Sequence, residues 1–240
     1  ELNKMKFQFF TNISHEFKTP LTLIIAPLEK MLQKQLSTEE IHQHHTLMLK
    51  NAQRLMRLIN QLMDFRKIES GALKLETDHG DLVSFISGIT DSFEELAGER
   101  NIELHFHAVT EKIMMHFDRD KVEKVMYNLL SNAFKYTPDG GKITVTMSLT
   151  FHRPGLNPDQ NKQDEIEKLV EIIVRDTGVG IDKEHLPKIF NRFYQAGDKV
   201  TFKHHGTGIG LAMAKDLIEL HNDEISVDSI KNKGTSFNIR

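Results

Sequence analysis

The sequence predicts an α+β protein, an antiparallel helical hairpin followed by a two-layer α/β sandwich. Three observations carry that prediction. The first seventy of the 240 residues follow a heptad repeat and little else. After Ser70-Gly71 the period changes, and helical stretches alternate with short β-rich runs. Those runs come as hairpins and pairs rather than in strict βαβα alternation, which favours a two-layer sandwich over a doubly wound sheet.

In the hairpin, Phe7, Ser14, Leu21 and Leu28 mark one seam position, and Phe10, Phe17, Ile24 and Met31 mark the other. The repeat breaks at Gln35-Leu36-Ser37, where Ser37 with Glu40 three residues on reads as a capping box. A second helix carries Ile41, Met48, Leu55 and Leu62, with Ala52, Ile59 and Phe65 nearby. One hairpin buries a single seam, so pairing with a second copy into a four-helix bundle completes it. From the heptads alone, a simple antiparallel coiled coil without chemistry is the favoured reading.

The expected boundaries are a hairpin over 1–70, a linker over 71–77 and a second domain over 78–240. Within the second domain the pattern predicts helices over 82–96, 121–135, 186–194 and 211–220. Strands are expected over 102–106, 113–117, 142–151, 168–175, 224–228 and 236–239. The polar stretch 153–164 reads as a hairpin loop, and 195–205 as a second structureless segment.

Composition narrows the function classes. Hydrophobic residues make 39% and charged residues 27% of the chain, the balance of an ordinary globular protein. The net charge is −3 with Lys and Arg scattered, which excludes the basic stripe of a nucleic-acid binder. Cysteine is absent, so disulfides, thiolate metal sites and cysteine nucleophiles are excluded, and a reducing compartment fits. No apolar run approaches the ~20 residues that cross a bilayer, and no signal peptide is visible. The chain opens at Glu1 inside a helical pattern, so a piece of a longer protein is expected.

His15 is one of thirteen histidines, and what separates it is its company. It lies in Ser14-His15-Glu16-Phe17-Lys18-Thr19-Pro20, just outside the seam, with Thr19 four residues on along the same face. An exposed imidazole with an ordinary pKa of ~6.5 is largely neutral at cellular pH and can act as a nucleophile. The neighbouring Glu16 carboxylate can hold the proton of the other ring nitrogen. Pro20 removes an amide from the helix and predicts a kink. His42, His44 and His45 have chelating spacing, but a partly buried polar end of the bundle explains them as well.

Four pieces of the second domain suit a nucleotide. Asn128 and Asn132 share one face of a helix, with Lys135 and Tyr136 a turn further on. A carboxamide oxygen is a hard ligand suited to Mg²⁺, and Lys135 can meet phosphate as a point charge. Val170 to Val174 leads into Asp176-Thr177-Gly178-Val179-Gly180-Ile181, where a carboxylate leaving a strand can accept from the exocyclic amine of adenine. Gly206-Thr207-Gly208-Ile209-Gly210-Leu211 opens a helix whose free amides form an anion site. Gly234-Thr235-Ser236-Phe237 precedes the last strand. No strand precedes the Gly206 run, so it is not the dinucleotide fingerprint, and no Walker A sequence occurs.

His-Glu-Phe-Lys-Thr-Pro-Leu at 15–21 resembles the phospho-acceptor box of sensor histidine kinases. The four later pieces, in this order, resemble the N, G1, G2 and G3 boxes of the ATP-binding domain shared by histidine kinases, gyrase-type topoisomerases, heat-shock chaperones and mismatch-repair ATPases. Ile189 to Tyr194 resembles the F box of histidine kinases. The resemblance covers nearly the whole chain. It implies His15 as phosphoryl acceptor, Glu16 as base or orienting carboxylate, and Thr19 as the group that positions water in a reverse phosphatase reaction. It implies ATP bound by Asn128, Asn132, Lys135, Tyr136, Asp176, Gly178, Gly180, Ile181, Phe193, Gly206, Thr207, Gly208, Gly210, Leu211 and Thr235, with Mg²⁺ on Asn132 and Asn128. The segment 195–205, with Lys199, Lys203, His204 and His205, would be a mobile lid.

The same resemblance implies a homodimer, transfer to an aspartate of a response-regulator receiver domain, and the cytoplasmic portion of a membrane-anchored bacterial sensor. Any membrane contact would run through segments upstream. Phe9 to Ser14 resembles hybrid sensors that carry a receiver on the same chain. Two rival readings make different forecasts: a clamp ATPase predicts no phospho-enzyme, and an ATP-binding scaffold predicts neither turnover nor labelling.

Overall fold

The computed structural model describes residues 2–33, 36–152, 167–195 and 208–240. The chain divides into two compact units, Glu1–Lys74 with Asn191–Ala212, and Leu75–Phe190 with Met213–Arg240.

The first unit is built on two 32-residue helices, α1 (Leu2–Gln33) and α2 (Thr38–Glu69), packed side by side. The expected capping box is present: Ser37 Oγ accepts from the Glu40 amide at 3.3 Å, and the Glu40 carboxylate accepts from the Ser37 amide at 2.9 Å. Each reciprocal bond satisfies a donor that the first turn leaves free. α1 continues unbroken through Pro20 and Pro27. The seam differs from the heptad reading by one position. Ile13, Pro20 and Pro27 are buried, whereas Ser14, Leu21 and Leu28 are exposed. Phe17, Ile24 and Met31 are half-buried as expected. The helix thus carries two apolar stripes, and a single chain covers only one of them. Within the first unit the Phe193 ring, which the sequence reading puts in the second domain, meets Phe65 edge-on at 5.7 Å.

The second unit opens with β1 (Asp78–Asp81), α3 (Leu82–Asp91) and α4 (Glu94–Glu99). β2 (Glu103–Ala108), β3 (Met114–Phe117), α5 (Arg119–Tyr136), β4 (Lys142–His152) and β5 (Glu167–Asp176) follow. α6 (Gly210–Leu220), β6 (Ile225–Ile230) and β7 (Gly234–Ile239) end the chain. Five strands form one sheet in the order β2-β4-β5-β7-β6, parallel only between β2 and β4. β1 and β3 form a separate antiparallel ribbon.

Strand alternation gives the large sheet one apolar face. Ile143, Val145, Met147, Ile172, Val174, Ile225, Phe237 and Ile239 are all buried on it. α5 covers part of that face with Val125, Met126, Leu129, Leu130, Ala133 and Phe134, a stripe of helical period. Fully burying a side chain of the size of Leu or Phe is worth about 1.5–3 kcal/mol, so this stripe fixes α5 firmly. The other face is polar. There Glu171 accepts from Arg240 Nε at 2.7 Å and Asn238 Nδ2 at 2.9 Å, which holds its carboxyl below the ordinary range.

Two elements depart from the expectations. The run 186–194 forms only a 3-10 turn, Leu186–Lys188, followed by turns, although Leu186, Ile189, Phe190 and Phe193 have helical spacing. Ile189 is buried and Phe190 lies edge-on to Phe237, so packing takes these side chains without a helix. The expected helix over 82–96 is two helices, with Thr90 and Ser92 side chains bonding back to Ile86 and Ile89 carbonyls at the break. β1, a polar run of low β-propensity, was not expected as a strand. The loop 153–164 lies outside the described residues.

Candidate active site

The expected catalytic residues His15, Glu16 and Thr19 belong to the first unit. His15 is exposed on α1, and its ring has no hydrogen-bond partner among the described residues. Thr19 Oγ1 donates to the His15 carbonyl at 3.2 Å, so the two residues share one face. Glu16 is committed across the hairpin: its carboxylate meets the Arg54 guanidinium at 3.0 Å and is only 11% exposed. The sequence reading missed Arg54, because nothing in a heptad says which charge of α2 faces which charge of α1. Asn51, buried on α2, donates from Nδ2 to the Leu47 carbonyl at 2.8 Å and is a second polar group in the hairpin that the reading missed.

The first unit also holds Phe193, Gly208, Gly210 and Leu211. Phe193 has φ +69°, and its amide donates to the Gly208 carbonyl at 2.8 Å. Gly210 begins α6, with Ile209 buried before it and Leu211 half-buried after. Gly206, Thr207, Lys199, Lys203, His204 and His205 lie outside the described residues.

The second unit gathers the rest around α5 and the end of β5. Asp118 caps the N-terminus of α5 and accepts from the Lys121 amide at 3.1 Å and the Glu76 amide at 2.7 Å. The Lys121 ammonium bonds the same carboxylate, and both residues are buried. Burial works to raise the Asp118 carboxyl, but these bonds outweigh it and hold it below the ordinary range.

On α5, Asn128 is buried and Asn132 half-buried, one turn apart. Neither carboxamide has a side-chain hydrogen bond among the described residues. Lys135 is half-buried with its ammonium 5.1 Å from the Tyr136 ring centre. Three of the last four carbonyls of the helix are claimed, that of Ala133 by the Thr137 amide at 3.0 Å. Arg100 donates to Phe134 and Thr137 carbonyls, the latter at 2.9 Å, and to Asp139 at 2.8 Å. The Val179 amide donates to the Tyr136 carbonyl at 3.2 Å. Arg100 was not singled out from the sequence, since a cation distant in sequence gives no sign that it caps a helix.

Asp176 ends β5, 6% exposed, and its Oδ1 accepts from the Gly178 amide at 2.8 Å and the Thr235 amide at 3.3 Å. Burial pushes this carboxyl up from the ordinary aspartate range, against the pull of the two amides. Thr235 is buried beside it, its hydroxyl 3.0 Å from Ser229 Oγ, which also accepts from the Ile181 amide at 2.8 Å. The glycines answer to the protein's own backbone. A Cβ on Gly178 would strike the Tyr136 carbonyl, and one on Gly180, at φ +65°, would strike the Ile230 carbonyl.

Chemically, this is a buried carboxylate acceptor, two carboxamides without a side-chain partner among the described residues, and one lysine. Carboxamide and phosphate oxygens form a donor set of the hardness that Mg²⁺ takes. Pieces from four elements thus lie together in the second unit: Asn128 to Tyr136, Asp176 to Ile181, Ser229 and Thr235.

Comparison with known proteins fits this geometry. Residues 117–240, just over half of the chain, match the family described as histidine kinase-, DNA gyrase B- and HSP90-like ATPase. Residues 5–71 match the His Kinase A phospho-acceptor domain. Histidine kinase P4 of Formosa agariphila is 38% identical over 242 residues, covering 100% of this chain but 16% of that protein. Full-length ShkA in complex with AMPPNP superposes with a TM-score of 0.64 at 22% identity, over 97% of this chain and 44% of that one. Histidine kinase ThkA, solved with the response regulator TrrA, gives 0.59 at 22% identity over 97% and 60%. At that identity the two structures attest the fold alone. The chain belongs to the two-component sensor histidine kinases and spans a small part of the length of its curated relative. Among the described residues no helix is long and apolar enough to cross a membrane.

Proposed function

We propose that this histidine kinase core transfers the γ-phosphoryl group of ATP to His15 and then to an aspartate of a response-regulator receiver domain. The observation that carries the reading is that one chain joins a matched phospho-acceptor helix bearing an exposed His15 to a matched ATPase unit bearing the Asp176 and asparagine set.

In the proposed step, an imidazole nitrogen of His15 attacks the γ-phosphorus in line, the bond to the bridging β–γ oxygen breaks, and ADP departs. The imidazole loses its other ring proton to a base, for which Glu16 is the neighbouring candidate. Its ion pair with Arg54 gives Glu16 a fixed position beside the ring. Asp176 accepts from the exocyclic amine of adenine, a bond that offsets part of the cost of burying its charge. Asn132 and Asn128 would hold Mg²⁺, which supplies charge neutralisation on the phosphates when bound. Lys135 meets a phosphate oxygen, and the amides opening α6 at Gly208 to Leu211 meet others. Thr19, on the face of His15, would orient water in the reverse reaction toward the receiver.

The exposed stripe of Leu21, Leu28 and Leu32 on α1, with Met56, Ile59 and Met63 on α2, supports a homodimer through the hairpin. The match to a relative seen with a response regulator supports a receiver as partner. Domain limits of 1–70 and 78–240, joined by a linker, remain the working division. The test is incubation with γ-labelled ATP and Mg²⁺. Acid-labile, alkali-stable label that disappears in His15→Gln, with ATP affinity kept, is expected. Label that survives in His15→Gln, or a wild type that binds ATP yet never labels, overturns the proposal.

A further inference from the structure

We infer that His79 and His116 form a two-histidine site for a divalent late first-row metal ion, distinct from the nucleotide residues. The two are directly paired across the β1–β3 ribbon, and both are exposed. Their ring centres are 5.0 Å apart and the planes are tilted by 53°. An ion bonded to one nitrogen of each ring at about 2.1 Å, in tetrahedral or square geometry, holds two imidazole centres roughly 5 Å apart. The rings therefore already stand at the separation that chelation requires.

A second pair on the sheet provides the contrast. His105 and His107, two residues apart on β2, have ring centres 5.9 Å apart with planes only 18° from parallel. Rings stacked in that way direct their nitrogens alongside each other instead of toward one point.

The ribbon under His79 and His116 is fixed on its inner face and at both ends. Phe117 is 2% exposed beneath it, and the Arg119 guanidinium lies 5.6 Å over the Phe117 ring. Gly80, next to His79 and paired with Met115, is buried against the Arg119 and Phe117 side chains. At one end Asp81 accepts from the Ile113 amide at 3.0 Å and the Leu82 amide donates to the Ile113 carbonyl at 2.9 Å. At the other, Asp118 accepts from the Glu76 amide. A pair held this way loses little freedom on binding, which is what raises affinity above that of two loose imidazoles. Among the described residues no third His, Asp or Glu joins the pair, so water completes the shell. Met114, 47% exposed and two residues from His116 on the same face of β3, offers a soft thioether as a third ligand. Imidazole pairs suit nickel, copper and zinc, with copper(II) bound tightest in the usual order.

The test is calorimetric titration of the tag-free protein with NiCl₂ and CuCl₂ in a non-chelating buffer. One ion per chain at the tightest site is expected. His79→Asn and His116→Asn should each weaken it roughly tenfold or more, while His105→Asn with His107→Asn leaves it unchanged. Ion binding should also slow amide exchange at Gly80 and Met115 in the wild type alone. Circular dichroism and ATP affinity report whether the variants fold. Equal affinity in wild type and the double variant His79→Asn/His116→Asn, or loss that follows His42 and His45 instead, overturns the inference.

Discussion

The two ends of α5 are built on opposite electrostatic plans. At the N-terminal end Asp118 is buried and fully paired, with an ammonium and two amides on one carboxylate, and its carboxyl is held low. Near the C-terminal end Asp176 is just as buried but has only two amides, and its carboxyl is pushed up. Between them Asn128 and Asn132 carry side chains with no partner among the described residues. The first end is satisfied and serves the fold. The second holds unspent hydrogen-bonding capacity at a cost in stability, which is the mark of a group kept for a ligand.

The largest expected effect tests the paired end. Asp118→Asn leaves the buried Lys121 ammonium without a counter-charge and should lower stability by about 2–3 kcal/mol, read by chemical denaturation. Because the folded pKa of Asp118 is depressed, its contribution is present above the unfolded value and is lost as pH falls through the folded one. The gap between wild type and Asp118→Asn should therefore close on acidification.

Asp176→Asn tests the open end and should behave in the reverse way. Removing a desolvated charge raises Tm at neutral pH, while ATP affinity falls by roughly 100-fold because a hydrogen-bonded charge to adenine is lost. A raised folded pKa means the cost of Asp176 is felt at neutral pH and relieved as pH drops through that pKa. The stability gap should again shrink on acidification, but from the opposite sign. A variant that is both less stable and unaffected in ATP binding would break the contrast between the two ends.

The smallest effect concerns what holds the open end in place. Arg100→Ala frees the Phe134 and Thr137 carbonyls and should cost about 1–2 kcal/mol, with Arg100→Lys restoring part of it. If Arg100 only caps the helix, ATP affinity stays within about twofold; a larger loss shows that the cap also positions Lys135 and Tyr136.

The gains and losses of the sequence reading follow the same divide between local and long-range causes. The capping box at Ser37 and Glu40, the asparagine face of α5 and the strand that delivers Asp176 were legible because each depends on spacing within a few residues. The seam register was off by one position, since a heptad cannot say which of two apolar stripes faces α2 and which is left for a second chain. The helix expected over 186–194 shows the same limit: its period was right, but packing of Ile189 and Phe190 needed no helix. β1 was invisible because its partner β3, more than thirty residues away, makes it a strand.

The sequence by itself determined the helical hairpin followed by an α/β domain, because periodicity is written along the chain. Tertiary structure alone decided that Glu16 is tied to Arg54, that Arg100 closes α5, and that Gly178 and Gly180 are required by the protein's own carbonyls. It also decided that Asp118 and Asp176, both aspartates at the edge of an apolar run, differ in charge cost. That difference depends on which donors the fold adds to the local ones on each carboxylate: the Glu76 amide, 42 positions from Asp118, and the Thr235 amide, 59 positions from Asp176.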